Sequence, residues 1–177
     1  GLLLVFRTNT ANDRFWEGWK LTGRLAVECR NMGRQLLVNI PEKTPEDTQE
    51  KMAYIRLVYG YYYAAILHLR KDSVDDTLRE IVSPQQYAEL KTAIHKPLKI
   101  ATWFGQYVNN LYERNYIDTI RLSEFNQLLN QMVQCVGGCE RILIAPLPKA
   151  YVLHLRHLLI LYCLAVPFQL VKDLHWW

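Results

Sequence analysis

An all-helical chain is predicted by three observations. No stretch alternates apolar and polar residues over a strand length, and no hairpin turn signal occurs. Two good helix-start signals, Thr44-Pro45-Glu46-Asp47 and Ser83-Pro84-Gln85-Gln86, stand where helices are needed. No proline precedes Pro41, so one long helix can run over 2–39.

That helix changes character at Arg7, passing from an apolar block to polar and charged residues. Leu2 and Phe6 are four apart and share a face. Asn9, Asp13 and Glu17 continue roughly that face on the polar side. The pattern fits a helix leaving a membrane, and it fits a buried helix emerging into water equally. A second helix is predicted over 46–71, with Thr44 as its N-cap and a cluster of tyrosines that reads as core or subunit interface. Asp72-Ser73-Val74-Asp75-Asp76 reads as a hinge and N-cap; it lacks the alternating ligands and the glycine of a calcium loop. Ser83 opens a short helix that ends at His95-Lys96-Pro97. Pro97 then sits in the first turn of a helix running to about Tyr116. Ser123-Glu124-Phe125-Asn126 is expected to start the next, which persists to about Ile142 through Gly137-Gly138.

Pro146-Leu147-Pro148 stops that helix, and residues 151–171 then form the sole candidate for a complete membrane span. The run matches the ~20 residues required, but His154, Arg156 and His157 lie in its first two turns. A buried helix of a soluble protein fits it as well. In a membrane, charges at one end would snorkel to the headgroups and Trp176-Trp177 would take the opposite interface.

Half of the 177 residues are hydrophobic, which excludes disorder and is enough for one domain with its own core. A net charge of +4, dispersed, gives no footprint for nucleic acid. Four cysteines form no disulfide framework. Cys135 and Cys139 share a helical face without zinc-ribbon spacing, and His154 and His157 read as interfacial polar residues, so no metal or other cofactor is expected. Asp13 and Glu17 have Arg14 and Lys20 within a turn and read as solvated ion pairs. No nucleophile elbow, phosphate loop or zinc-protease motif is present, and no catalytic residue is assigned.

Two long motifs carry a family resemblance. Phe6-Arg7-Thr8-Asn9-Thr10-Ala11-Asn12-Asp13-Arg14-Phe15-Trp16-Glu17-Gly18 is the first. The second runs from Cys139-Glu140-Arg141-Ile142 through Pro146-Leu147-Pro148 to Ala150-Tyr151, His154-Leu155-Arg156 and Leu161–Phe168. With Pro97-Leu98-Lys99-Ile100 between them, they resemble the bestrophin ion channels in their bacterial branch over nearly the whole chain. Asn12, Trp19, Thr22 and Lys149 depart from that pattern, where Tyr, Arg, Trp and Phe are expected.

The resemblance implies a single domain over 1–177 in a homopentamer. Residues 1–6 would end the second membrane helix, 7–149 would form a cytosolic helical region, and 150–171 would be the third membrane helix. The chain would then be a fragment lacking the first and last membrane helices and the C-terminal tail, where animal relatives hold their calcium-sensing acidic cluster. The implied function is a multi-pass channel of the cell membrane that passes chloride or other small anions. Its apolar pore neck would include Leu2 and Phe6, its cytosolic aperture would be Leu147, and Thr8, Asn9, Thr10, Asp13 and Arg14 would face the chamber and set selectivity. Its partners would be further copies of itself, the lipid bilayer and permeant ions. Cation conduction is the alternative if Asp13 is not neutralised by Arg14. Two rival classes are a soluble or peripheral helical scaffold and a helical-bundle enzyme using Glu17, His154 or the cysteine pair. Detergent-selective extraction separates the first from a channel, and stoichiometric metal in pure protein would favour the second.

Overall fold

The computed structural model describes residues 2–145 and 149–173. All regular structure among them is helical: α1 (Leu2–Asn39), α2 (Pro45–Arg70), α3 (Asp76–Ile81), α4 (Pro84–Thr92), α5 (Lys96–Glu113), α6 (Thr119–Ile144) and α7 (Lys149–Asp173).

α1, α2, α5 and α6 close into a four-helix bundle: α1 packs on α2 and α6, and α5 packs on the same two helices from the other side. Neighbours run antiparallel. The end of α1 meets the start of α6, where Arg121 Nη1 donates to the Asn39 carbonyl at 3.2 Å, and the end of α5 meets the start of α2 through Arg114 and Asp47. α3 and α4 carry the chain across between α2 and α5. Tyr61, Phe104, Phe125, Met132 and Leu36 are at most 1 % exposed and fill the centre. Each such burial contributes about 1.5–3 kcal/mol of transfer free energy.

The local signals act where the sequence puts them. Thr44 and Asp47 form a reciprocal capping box ahead of α2, and Ser83 and Gln86 do the same for α4. Asp75 caps α3, accepting from the Leu78 N–H, and its other oxygen accepts from the Tyr63 hydroxyl. Of the acidic hinge, Asp75 is thus spent on capping, while Asp76 is exposed. Three boundaries differ from expectation. α4 ends at Thr92, short of His95, which instead caps α5. α5 ends at Glu113, because Arg114 caps it and Asn115 turns left-handed at φ 56°. α6 starts at Thr119, four residues before Ser123, because Asp118 Oδ1 takes the Arg121 N–H at 2.8 Å and caps it first.

Gly137-Gly138 is absorbed into α6, and at Gly138 the reason is a close approach. A Cβ there would stand 2.9 Å from Leu21 Cδ1, so the missing side chain lets α1 and α6 pack tightly.

The bundle is tied at the end where α1 finishes. Asp47 is buried and accepts from the Thr44 N–H at 3.0 Å, the Tyr116 hydroxyl at 3.0 Å and the Arg114 guanidinium. Burial opposes its ionisation, but the hydrogen bonds from Arg114, Tyr116 and Thr44 outweigh it and hold the carboxyl far below the ordinary carboxylate range. The buried Lys51 donates to the Ile40 carbonyl at 2.9 Å and to Glu42 at 2.7 Å. That carbonyl at the end of α1 is therefore met by a cation.

α7 is different. Among the described residues it has no substantial packing partner. Leu153, Leu161, Tyr162, Leu164 and Phe168 stand exposed around it. No helix among the described residues is long and apolar enough to cross a membrane. The span expected over 150–171 is helical, within α7.

Candidate functional site

Most of the residues that the family resemblance assigns to an ion path belong to the first part of α1. The backbone of α1 is helical without a break from Leu2 to Asn39, so Leu2, Phe6, Thr8, Asn9, Thr10, Asp13 and Arg14 lie on one rod, as the sequence suggests. The side chains of Leu2, Phe6, Thr8, Asn9 and Thr10 lie outside the described ones, and Leu147 lies outside the described residues altogether.

Asp13 is exposed, and among the described residues no cation pairs with it. Arg14 does not neutralise it. Its guanidinium turns toward α6 and donates to the Ile142 carbonyl. This places a positive charge at the negative end of the α6 dipole. Glu17 also departs from expectation: its partner is Arg141 of α6, 3.4 Å away, not Lys20. Both ends of that pair are exposed, so it is weak. The reach across to α6 was hidden because the partners are more than a hundred residues apart.

Beside these charges runs an exposed aromatic ridge. Phe15, Trp16 and Trp19 meet edge to face, with ring centroids 5.8 and 5.6 Å apart. Phe15 and Trp19 also line a shallow apolar groove closed by Leu69, Cys139 and Ile142.

Cys29, Cys135 and Cys139 are buried and free. Burial pushes the Cys29 thiol up to about 12, and it raises Cys135 and Cys139 too, so all three stay protonated and act as packing groups. The cysteine pair is therefore a poor metal half-site. The cluster of metal-ligating types among the described residues is one the sequence did not suggest: His68, His95 and Glu140.

A family model described as "Bacterial/Fungal Bestrophin protein" matches residues 1–177. A voltage-dependent anion channel-forming protein of Nostoc sp. is 42 % identical over 177 residues, which is 100 % of this chain and 58 % of that protein. A protein of the same description from Synechocystis sp. is 40 % identical, covering 99 % of this chain and 57 % of its own length. Among solved structures, a variant of a bacterial bestrophin homologue from Klebsiella pneumoniae superimposes with a TM-score of 0.88 at 26 % identity, over 99 % of this chain and 62 % of that one. The chain spans rather more than half the length of these relatives.

Proposed function

The chain belongs to the bacterial and fungal bestrophin family, and on that premise we propose that it forms the helical bundle and two adjoining membrane-facing segments of an anion channel. The observation that carries this reading is the 42 % identity, across the whole chain, to a protein described as forming voltage-dependent anion channels. Two structural features support it. α1 is one rod from its apolar start to the tied end of the bundle, so the throat and the chamber wall would move as one piece. Leu153, Leu161, Tyr162, Leu164 and Phe168 of α7 are exposed, and α7 has no substantial packing partner among the described residues, as expected of a helix solvated by lipid or by other copies. The Phe15, Trp16 and Trp19 ridge would lie at the headgroup level.

In this reading several copies, five by family resemblance, surround a common axis. Leu2 and Phe6, one turn apart, would form two stacked apolar rings about 5–6 Å apart. Such rings conduct when wetted and block when dry, so rotation of the Phe6 ring would gate flow without any charge. Apolar rings choose ion sign weakly, and the choice falls to groups below them: Thr8, Asn9, Thr10 and Asp13. Leu147 would narrow the far exit. Residues 7–149 would face the cytosol of a cell-membrane protein.

Asp13 favours a second reading. With Arg14 drawn to α6, an unneutralised carboxylate would attract cations at that level. Reversal potentials of the longer protein in liposomes, measured in asymmetric potassium chloride, separate the two. A potential near that of chloride supports the anion channel. One near that of potassium, moved toward chloride by Asp13→Asn, replaces it with the cation channel. Phe6→Ala should raise leak; unchanged gating and conductance would remove Phe6 from the throat.

A further inference from the structure

The cluster of His68, His95 and Glu140 has no part in the proposed ion path, and packing alone gives no reason for its composition. His68 lies in the last turn of α2, His95 is the N-cap of α5, and Glu140 lies in the last turns of α6. His68 Nε2 is 2.7 Å and His95 Nε2 3.0 Å from the same oxygen, Glu140 Oε1. The two imidazoles stack with centroids 4.2 Å apart, and the ligand atoms of the three residues all lie within 4.8 Å of one another. Their side chains are 20 %, 32 % and 27 % exposed, so an ion can reach them from water.

We propose that these three residues form a binding site for a divalent transition metal, zinc above all, which pins α2, α5 and α6 together. Two imidazole nitrogens and one carboxylate oxygen are the donor set of an open zinc site, with a fourth position left for water. Magnesium and calcium prefer oxygen throughout and are disfavoured here. Around a tetrahedral ion with bonds of ~2.0–2.1 Å, the ligand atoms stand about 3.3 Å apart. The present 2.7 and 3.0 Å contacts need to open by only a few tenths of an ångström, within reach of side-chain torsions.

His95 adds a linkage. Its Nδ1 accepts the Leu98 N–H at 3.1 Å, so its Nε2 carries the proton and donates to Glu140. A neutral imidazole has a single basic nitrogen. When Nε2 takes the metal, the proton moves through solvent to Nδ1, and the Leu98 N–H loses its acceptor. His68 offers its Nε2 to the ion with no cap to lose. Ser, Asp or Asn would cap α5 better than histidine does. A histidine at this position is accounted for by the second role of its other nitrogen.

The test titrates the purified protein with zinc and with cobalt(II). Calorimetry and elemental analysis should give one ion per chain. The cobalt form should show the visible bands of a tetrahedral nitrogen and oxygen site, without thiolate charge transfer. His68→Asn and Glu140→Gln should each weaken zinc by at least about tenfold, and Cys135→Ser with Cys139→Ser should leave it unchanged. Zinc should also speed hydrogen exchange of the Leu98 amide. A thiolate band, zinc affinity indifferent to both His68→Asn and Glu140→Gln, or no binding by the unaltered protein would overturn the site. The cobalt spectrum of the unaltered protein decides even if a variant fails to fold.

Discussion

The four-helix bundle and α7 are both rich in large apolar residues and dispose of them in opposite ways. In the bundle Phe104 and Met132 show no exposure and Phe125 only 1 %. On α7 Leu161 and Phe168 stand 63 % and 79 % exposed. The bundle meets most of its own needs: caps, half-buried ion pairs and a filled centre all lie within one chain. Among the described residues nothing substantial covers the apolar surface of α7. The difference teaches where the chain ends as a folding unit and where its dependence on surroundings begins, and substitutions on the two sides should behave accordingly.

The largest effect is expected at the centre. Phe104→Ala should destabilise the protein by about 3–5 kcal/mol, measured by chemical unfolding in detergent. Leu161→Ala on α7 should stay within about 0.5 kcal/mol in the same assay. Equal losses at both sites would erase the contrast and make α7 part of the packed core.

Next comes the tied end. The Asp47 carboxyl is held far below its usual range, so its stabilising contribution is complete above the unfolded value of about 3.9 and is lost as pH falls toward the folded value. Asp47→Asn should therefore be less stable than the parent at neutral pH. The gap should close as the solution is acidified below about 4. Acid titrations of both proteins, followed by circular dichroism, check it. A gap that held constant with pH would mean that packing, and not charge, ties this end.

Close packing of α1 on α6 gives a smaller effect. Gly138→Leu should cost about 1–3 kcal/mol by forcing Leu21 aside. Gly137→Leu, one residue away with open space around its Cα, should be neutral or stabilising, because glycine inside a helix costs roughly 0.5–1 kcal/mol relative to a good helix former.

How much of this was legible follows range in the sequence. The caps at Thr44, Asp75 and Ser83 could be read because donor and acceptor lie within three or four residues. Ser123 misled for the same local reason: it resembles a cap, but Asp118 lies upstream and starts the helix first. Asp13 and Arg14 were legible as a pair of interest, while the turn of Arg14 toward Ile142 was not, because it depends on how α1 lies on α6. His68, His95 and Glu140 come from three separate segments with no shared spacing, so nothing short of the folded bundle brings them together. The family motifs reach further than periodicity, since they fix order over the whole chain, but they do not say which way a side chain turns.

The smallest effect should come from the exposed pair of Glu17 and Arg141. It bridges the same two helices as Gly138 and Leu21, at 3.4 Å but in water. Water weakens the attraction, and holding two long side chains in register costs entropy, so the pair is worth less than about 1 kcal/mol. Arg141→Ala should lower stability by no more than that, and the difference should fade in high salt because exposed charges are screened. Arg14→Ala makes the informative contrast. It removes the cation that meets the Ile142 carbonyl and takes no ion-pair partner from Asp13 among the described residues. If Arg14 acts only on α6, Arg14→Ala should loosen the last turn of that helix, seen as faster exchange of its amides, and leave ion preference where it was. A change of ion sign in Arg14→Ala, with α6 unaffected, would return Arg14 to the pore and end its assignment to the bundle.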